Sequence, residues 1–487
     1  MTTKVTVNPR RAIGPLGKRV YGGFVEHLGR CIYGGLYEPG SALSDERGFR
    51  TDVLDLLRDL RVPVLRWPGG NFVSNYHWAD GIGPVQERPS RPELAWGGAE
   101  PNTFGTDEFI AYCRALGAEP YICLNMGTGT LEEALNWVEY CNVPGGTTWS
   151  ERRREGGHPE PYGVEWWGLG NEMYGDWQTG SMSAEEYIAE ATRWARALRA
   201  LSPGARFVAC GESGWSEWDL KVAPALASLV ELYSVHIYTG SEDYWSNLLA
   251  PHMAERAIGI LKGVLSQAAY AQGLSRPPRI AYDEWNVWFR TNGGGLEERY
   301  AFQDALAVGT YLNIFVRNCD WVEMANLAQM VNAIAPIVTT PTAAVRQPIY
   351  HPLLLHVQGH EGTAVDCFVD GPTVEAPEEL RTRWPHRVRD LGPFGLLDCA
   401  STVSSDGSHM ALTVVNRSSS QERVVLDAIG GIEGPVEVTT LTAGGRTELA
   451  DVEGVVTTRS SERTVEGRLE LDLPASSFSL LRAPLAG

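Results

Sequence analysis

The 487-residue chain contains no apolar run near the roughly 20 residues that a membrane span requires. Its start, MTTKVTVNPRRAIGPLG, lacks the apolar core and small-residue cleavage site of a secretory leader, so a cytoplasmic setting with no membrane partner is expected. Its eight cysteines (Cys31, Cys113, Cys123, Cys141, Cys210, Cys319, Cys367 and Cys399) show no CxxC spacing, and several lie inside apolar runs such as YICL at Tyr121–Leu124. That distribution argues against a disulfide frame or a zinc ribbon and predicts reduced core thiols. Positive charge is also scarce. Lys and Arg number 41 against 60 Asp and Glu, and the net charge of -19 disfavours a nucleic-acid or anionic-membrane partner. No HExxH pair is present, and neither a metal nor a cofactor is expected. A neutral ligand suits this balance.

What is present is ordinary globular composition on a chain too long for one typical domain, with 43% hydrophobic residues. Apolar runs and amphipathic stretches alternate from Arg19 to about Gly359. The candidate strands are Val20–Val25, Val62–Trp67, Pro120–Asn125, Val164–Leu169, Arg206–Cys210, Leu232–Ile237, Ile280–Asp283 and Trp321–Ala325. Helical patterns separate them at Thr51–Leu60, Thr106–Leu116, Leu131–Tyr140, Ala184–Leu201 behind a Ser183/Glu186 capping box, and Glu297–Asn318. Such alternation implies parallel βαβ units and an α/β fold, a (β/α)8 TIM barrel with its site at the strand carboxyl ends. After Gly362 short β-rich segments take over, including MALTVV, VEVTTL and LELDL, which predicts a C-terminal antiparallel β-sandwich. The expected boundaries are 15–360 for the barrel and 361–487 for the sandwich, with residues 1–14 lending it an N-terminal strand through Lys4–Val7.

Two apolar runs end in a glutamate beside an amide or an indole: EWWGLGNE at Glu165–Glu172 and RIAYDEWN at Arg279–Asn286. Strand-end acids of this kind make Glu172 and Glu284 candidates for one active site. Facing carboxyl groups are what glycosidic cleavage needs, one to protonate the leaving oxygen and one to meet a developing oxocarbenium ion. Other strand ends bring Glu26 and His27 (FVEHLG), Arg66 and Asn71 (LRWPGGNF), Asn171, His236 and Tyr238 (SVHIYTG), and Gln329 (ANLAQMVN). Trp96 and Trp288 add aromatic faces. A rim of amides, hydroxyls and rings can bind many sugar hydroxyls while covering apolar C–H surface.

The segments GGFVEHLGRCIYGGLYEPGS, LRWPGGNFVSNYHWADGIGP, LAWGGAEPNTFGTDEF, LNMGTGTLEEALNWVEYCN, WWGLGNEMYGDWQ, YDEWNVW and ANLAQMVNAIAPI resemble glycoside hydrolase family 51, the α-L-arabinofuranosidases, over nearly the whole chain. The resemblance implies a barrel plus a sandwich and retaining, exo-acting hydrolysis of terminal α-L-arabinofuranosyl groups from arabinan, arabinoxylan or derived oligosaccharides. It also implies no cofactor and a homo-oligomer, a hexamer. On it, Glu172 matches the general acid/base and Glu284 the nucleophile. Asn171 is implied to contact the sugar, while Glu26, Asn71, Tyr238 and Gln329 line the furanose pocket. Trp96 and Trp288 fit the sugar and leaving-group side, and Arg66 supports the nucleophile, with His236 a supporting neighbour.

One departure is the short glycine-rich FRTNGGGL between Trp288 and Glu297, which bears on the leaving-group side and so on linkage preference. Three other readings compete: a retaining glycosidase of another specificity, such as a β-D-galactofuranosidase, β-xylosidase or endoglucanase; a non-catalytic sugar-binding protein; and a metal-dependent hydrolase using His27, His77 and His236.

Overall fold

The computed structural model describes residues 2–290, 296–381, 387–445 and 454–486. Five residues of the glycine-rich FRTNGGGL connection, 291–295, fall outside them. Eight parallel strands close a barrel: β1 (Gly22–Phe24), β2 (Val64–Trp67), β3 (Glu119–Cys123), β4 (Trp166–Leu169), β5 (Arg206–Ala209), β6 (Leu232–Thr239), β7 (Arg279–Val287) and β8 (Val322–Ala328). Each pairs with the next in sequence, and β8 returns to β1 through Asn326, Leu327 and Ala328 against Gly22, Gly23 and Phe24. All eight coincide with runs expected from the sequence.

Strand alternation builds the lumen in layers. The lowest is apolar and fully packed: Val64, Tyr121, Trp166, Val208, Leu232, Ala281 and Met324 form one buried cluster. Two residues further along each strand the same face turns polar, as in Arg66 above Val64 and the series Leu232, Ser234, His236, Tyr238 up β6. The narrow lumen demands small residues at some positions. A Cβ on Gly22 would stand 2.7 Å from the Asn326 amide, so β1 approaches β8 only as glycine.

Helices cover the barrel. Ala184–Leu201 starts where expected, with the Ser183 hydroxyl accepting from the Glu186 backbone N–H and the Glu186 carboxylate accepting from the Ser183 N–H. The helix expected from Glu297 begins at Phe302 instead, because the Asp304 carboxylate accepts the Ala301 N–H and sets the start there. Two further helices, Glu217–Leu226 and Met253–Gln272, follow β5 and β6. Among the described residues no helix is long and apolar enough to cross a membrane.

The C-terminal strands form one continuous nine-stranded sheet rather than two separate ones. Val5 and Val7 share a single buried cluster with Val365, Leu412, Leu426, Val436, Leu469 and Leu481, so the sheet curls over its own core as the layers of a sandwich would. The N-terminal strand Thr3–Pro15 lies inside it, antiparallel to Thr363–Asp370 and parallel to Glu422–Ala428. The outer face packs on the barrel helices Phe302–Arg317 and Tyr350–Gly359. There Gly309 lets Phe478 sit against the first helix and Gly359 admits Leu480 against the second.

Two histidines are buried at this junction. His360 bonds the Thr402 and Thr413 hydroxyls, and His356 lies between Tyr21 and Phe478. Burial pushes His360 down to about 3 and His356 well below its ordinary 6.5. A histidine depressed on folding contributes stability that is complete above its unfolded pKa and lost as pH falls toward the folded one. Replacing His356 by Leu should therefore flatten acid destabilisation. Chemical denaturation between pH 7.5 and 4.5 should show the variant gaining on wild type by about 1.4 kcal/mol per pH unit below about 6.5. Parallel curves would disprove the assignment.

Candidate active site

The acidic residues converge because of two local distortions. In β7 the register against β6 slips between Ala281 and Glu284, a bulge that lets neighbouring Asp283 and Glu284 both face the lumen side of the site. After β4 the chain turns sharply through Gly170 at φ 78° and Glu172 at φ 44°. A left-handed glutamate is uncommon and is held only where its surroundings impose it.

Arg66 ties these elements together from below. Buried and seated 4.3 Å over the Phe24 ring, it donates to the Asp283 carbonyl at 3.0 Å, to Glu284 Oε2 at 3.1 Å and to Asn171 Oδ1. Tyr238 donates its hydroxyl to Glu284 Oε1 at 2.7 Å. His236 stands between the two glutamates, its Nδ1 2.9 Å from Glu172 Oε1 and 3.3 Å from Glu284 Oε2, with Nε2 3.4 Å from Asp283 Oδ1. The Trp177 indole donates to Glu172 Oε2 at 2.8 Å. One carboxylate oxygen from each glutamate and one His236 nitrogen all lie within 4.8 Å of one another.

Charge is shared unevenly across this web. Burial opposes protonation of His236, but Glu284, with Asp283 and Glu172, raises it to about 10. Burial likewise pushes Glu172 up, yet the His236 hydrogen bond and charge, helped by Trp177, bring it below the usual carboxylate range. Glu284 ends raised: burial and the Glu172 charge outweigh His236, Arg66 and Tyr238. Asp283, despite its burial, is drawn down to about 2 by Arg66 and His236. These directions favour a proton on His236, facing the Glu172 carboxylate across 2.9 Å. A metal could use the Glu172, His236 and Glu284 trio only by displacing that proton. The trio is built as a charge-compensated hydrogen-bond web.

On the other side of the cleft Glu26 is buried and accepts from the Phe72 N–H at 3.1 Å, the Trp96 indole at 3.0 Å and the Gln329 amide at 2.9 Å. Gly69 makes this possible, since a Cβ there would stand 2.7 Å from Glu26 Cγ. Burial raises Glu26 to about 7, with the Trp96 bond opposing and the Glu284 charge adding to the rise. Asn171, its oxygen engaged by Arg66, keeps a buried Nδ2 with no partner among the described residues. Such a donor is costly unless a ligand satisfies it.

Nine of the eleven expected residues line one cleft of about 460 Å³: Glu26, Asn71, Trp96, Glu172, His236, Tyr238, Glu284, Trp288 and Gln329. Arg66 and Asn171 lie buried and joined to each other by a hydrogen bond. His27 and His77 are not with His236. His27 is bonded to Glu100 and Trp67, and His77 pairs with Glu133, so no three-histidine set forms. Sequence reasoning missed Asp283, which also accepts from Tyr121 and Ser234. It also missed Tyr174, Trp177, Glu212, Ser213 and Trp215 on the cleft wall. Position 283 in YDEW was legible as an acid, but its inward direction depends on the bulge.

Residues 56–255 match the α-L-arabinofuranosidase 1 domain, and residues 283–477 match the α-L-arabinofuranosidase C-terminal domain. A probable α-L-arabinofuranosidase C from Aspergillus niger is 42% identical over 99% of this chain and 97% of that relative. An intracellular exo-α-(1→5)-L-arabinofuranosidase from Acetivibrio thermocellus is 35% identical over 88% of each. The solved structure of a thermostable GH51 α-L-arabinofuranosidase from Thermotoga petrophila superposes with a TM-score of 0.93 at 40% identity, covering 99% of this chain and 100% of that one.

Asp283→Asn tests the web itself. Removing one member of a buried ionic network should cost about 3–5 kcal/mol of unfolding free energy at pH 7. Because Asp283 has a folded pKa of about 2, below its ordinary 3.8, its contribution is present above 3.8 and disappears as pH falls through 2. The deficit of the variant should therefore shrink in acid. Denaturant titrations at pH 7 and pH 3 measure it, and a constant deficit would count against the charge argument.

Proposed function

The chain belongs to the family 51 α-L-arabinofuranosidases, and from that premise we propose that it is a retaining, exo-acting enzyme that releases terminal α-L-arabinofuranosyl groups by double displacement. The observation that carries the stereochemical part is the spacing of Glu172 and Glu284, whose nearest oxygens lie within 4.8 Å. Retaining glycosidases hold their carboxyl groups about 5–5.5 Å apart, whereas inverting ones leave about 6.5–9.5 Å for a water between them. In this reading Glu284 attacks the anomeric carbon and forms a glycosyl ester. Arg66 and Tyr238 bond its two oxygens and orient it. Glu172 gives a proton to the departing oxygen, then takes one from the water that cleaves the ester.

The proton has a defined source. His236 shares Nδ1 with Glu172 Oε1 across 2.9 Å, so a shift along that bond converts an imidazolium and a carboxylate into an imidazole and a carboxylic acid. The Nδ2 group of Asn171 and the Glu26, Asn71 and Gln329 cluster supply the partners for furanose hydroxyls. Trp96 and Trp288 flank them. Arabinan, arabinoxylan and their oligosaccharides are the substrates proposed. The name of the Acetivibrio relative supports α-1,5 links among them and a cytoplasmic setting.

Role separation is testable with two variants. Glu172→Ala should nearly lose activity on unactivated arabino-oligosaccharides, yet still form the intermediate from a nitrophenyl arabinofuranoside, and azide should then rescue turnover with a retained product. Glu284→Ala should give no retained azide product, and a mechanism-based arabinofuranosyl inactivator should label Glu284 by peptide mapping. Azide rescue to a retained product only in Glu284→Ala would reverse the roles.

A separate expectation follows from the stored proton. His236→Asn removes a group that titrates at about 10 and leaves Glu172 as the sole acid. The alkaline limb of kcat/KM should move to lower pH in the variant, since a carboxyl, even one raised by burial, loses its proton earlier. An unmoved limb would show that His236 holds no catalytic proton.

A further inference from the structure

Besides Glu172, Glu284 and Glu26 the cleft contains a fourth carboxylate, Glu212, which the mechanism above does not use. It follows β5 and lines the cleft with Ser213, Trp215, Tyr174 and Trp177. Its backbone is fixed at both ends: the Glu212 N–H donates to Asp219 Oδ1 at 2.8 Å, and its carbonyl accepts the His236 N–H at 2.8 Å. The side chain is therefore presented from a rigid platform. It is half-buried, and among the described residues no Arg, Lys or His stands within ion-pair distance of it. Burial raises its pKa, opposed by a Ser216 hydrogen bond and reinforced by the charges of Asp219 and Glu172.

Its position decides what it meets. On the proposed mechanism Glu172 must lie beside the oxygen that departs, and the wall running outward from Glu172 is Trp177, 58% exposed, with Tyr174 edge-on to it at 5.9 Å. The Glu172 charge acts on Glu212 and both act on Tyr174, which sets Glu212 with this wall; Ser213 and Trp215 line the same cleft. Glu26, which bonds Gln329, answers instead to the charges of Glu284 and Arg66. A carboxylate without a cation, set among rings, accepts hydrogen bonds from sugar hydroxyls and repels other anions.

We infer that Glu212 makes the leaving-group half of the cleft selective for uncharged sugars, accepting their hydroxyls and turning away leaving groups that carry a uronate or another carboxylate. This rests on the proposed reading of Glu172 as the acid that serves the departing oxygen.

The test uses the full-length enzyme and a matched pair of substrates, 4-carboxyphenyl α-L-arabinofuranoside and its neutral carboxamide analogue. Each kcat/KM ratio is compared between wild type and variants, so intrinsic leaving-group ability cancels. Wild type should favour the neutral compound by about tenfold more than Glu212→Gln does, the effect of a like charge about 6 Å away at an effective dielectric near 40. Glu212→Asp, which keeps the charge, should retain most of the discrimination. Raising ionic strength should erode it in wild type and leave the Gln variant unchanged. A merely structural Glu212 would lower both rates together and leave the ratio and its salt dependence untouched, and that result overturns the inference. p-Nitrophenyl arabinofuranoside serves as control. If Glu172→Ala loses no more on unactivated than on activated substrates, the parent reading fails; if that reading holds and the ratio does not move, only the inference fails.

Discussion

The buried guanidinium of Arg66 is the constraint on which the site depends. It reaches from β2 across the lumen to β7 and to the turn after β4, and so sets the separation of the strands that carry Asn171, Asp283 and Glu284. A lysine could supply the charge but not a planar fork with several fixed donors. A cation this deep is tolerable only because carboxylates and the Phe24 face surround it, and those carboxylates are in turn tolerable only because of the cation. Interdependence of this kind makes the web rigid.

Rigidity has an electrostatic corollary. Three acids, Glu172, Asp283 and Glu284, face the two bases Arg66 and His236, so acids are in excess in the cluster. That excess favours the positive charge that develops on a sugar as its glycosidic bond breaks. It also explains why neither glutamate alone sets the resting protonation. The imidazole between them takes the proton because it gains carboxylate neighbours on three sides by doing so.

Much of this was legible in the chain. Each barrel strand was visible as an apolar run closing on polar residues, since a lumen that is greasy below and polar above writes that pattern directly. The two glutamates stood at the ends of such runs. Asp283 was less readable, because simple alternation sends neighbours to opposite faces and only a slipped register brings both inward. Glu212 and Trp215 sit in a loop, where no periodicity marks direction. The helix expected from Glu297 starts later because a single carboxylate, Asp304, caps Ala301, a contact that amphipathic spacing cannot reveal. Protonation is not written in spacing at all, because it depends on distances among groups that several strands bring together.

The strand at Thr3–Pro15 has a consequence for biosynthesis. It leaves the ribosome well before either of its neighbours, Thr363–Asp370 and Glu422–Ala428. At about 5–20 residues per second it waits roughly 20–70 s for even the nearer one. During that interval a β-prone segment with open hydrogen-bonding edges trails from a barrel that is still being made, a natural target for chaperones or for mispairing with a nascent neighbour. Its alternation of buried Val5 and Val7 with Lys4 and partly exposed polar residues limits that hazard, because only one face is sticky. Closing this sheet is then the capture of an early strand by two that are made hundreds of residues later.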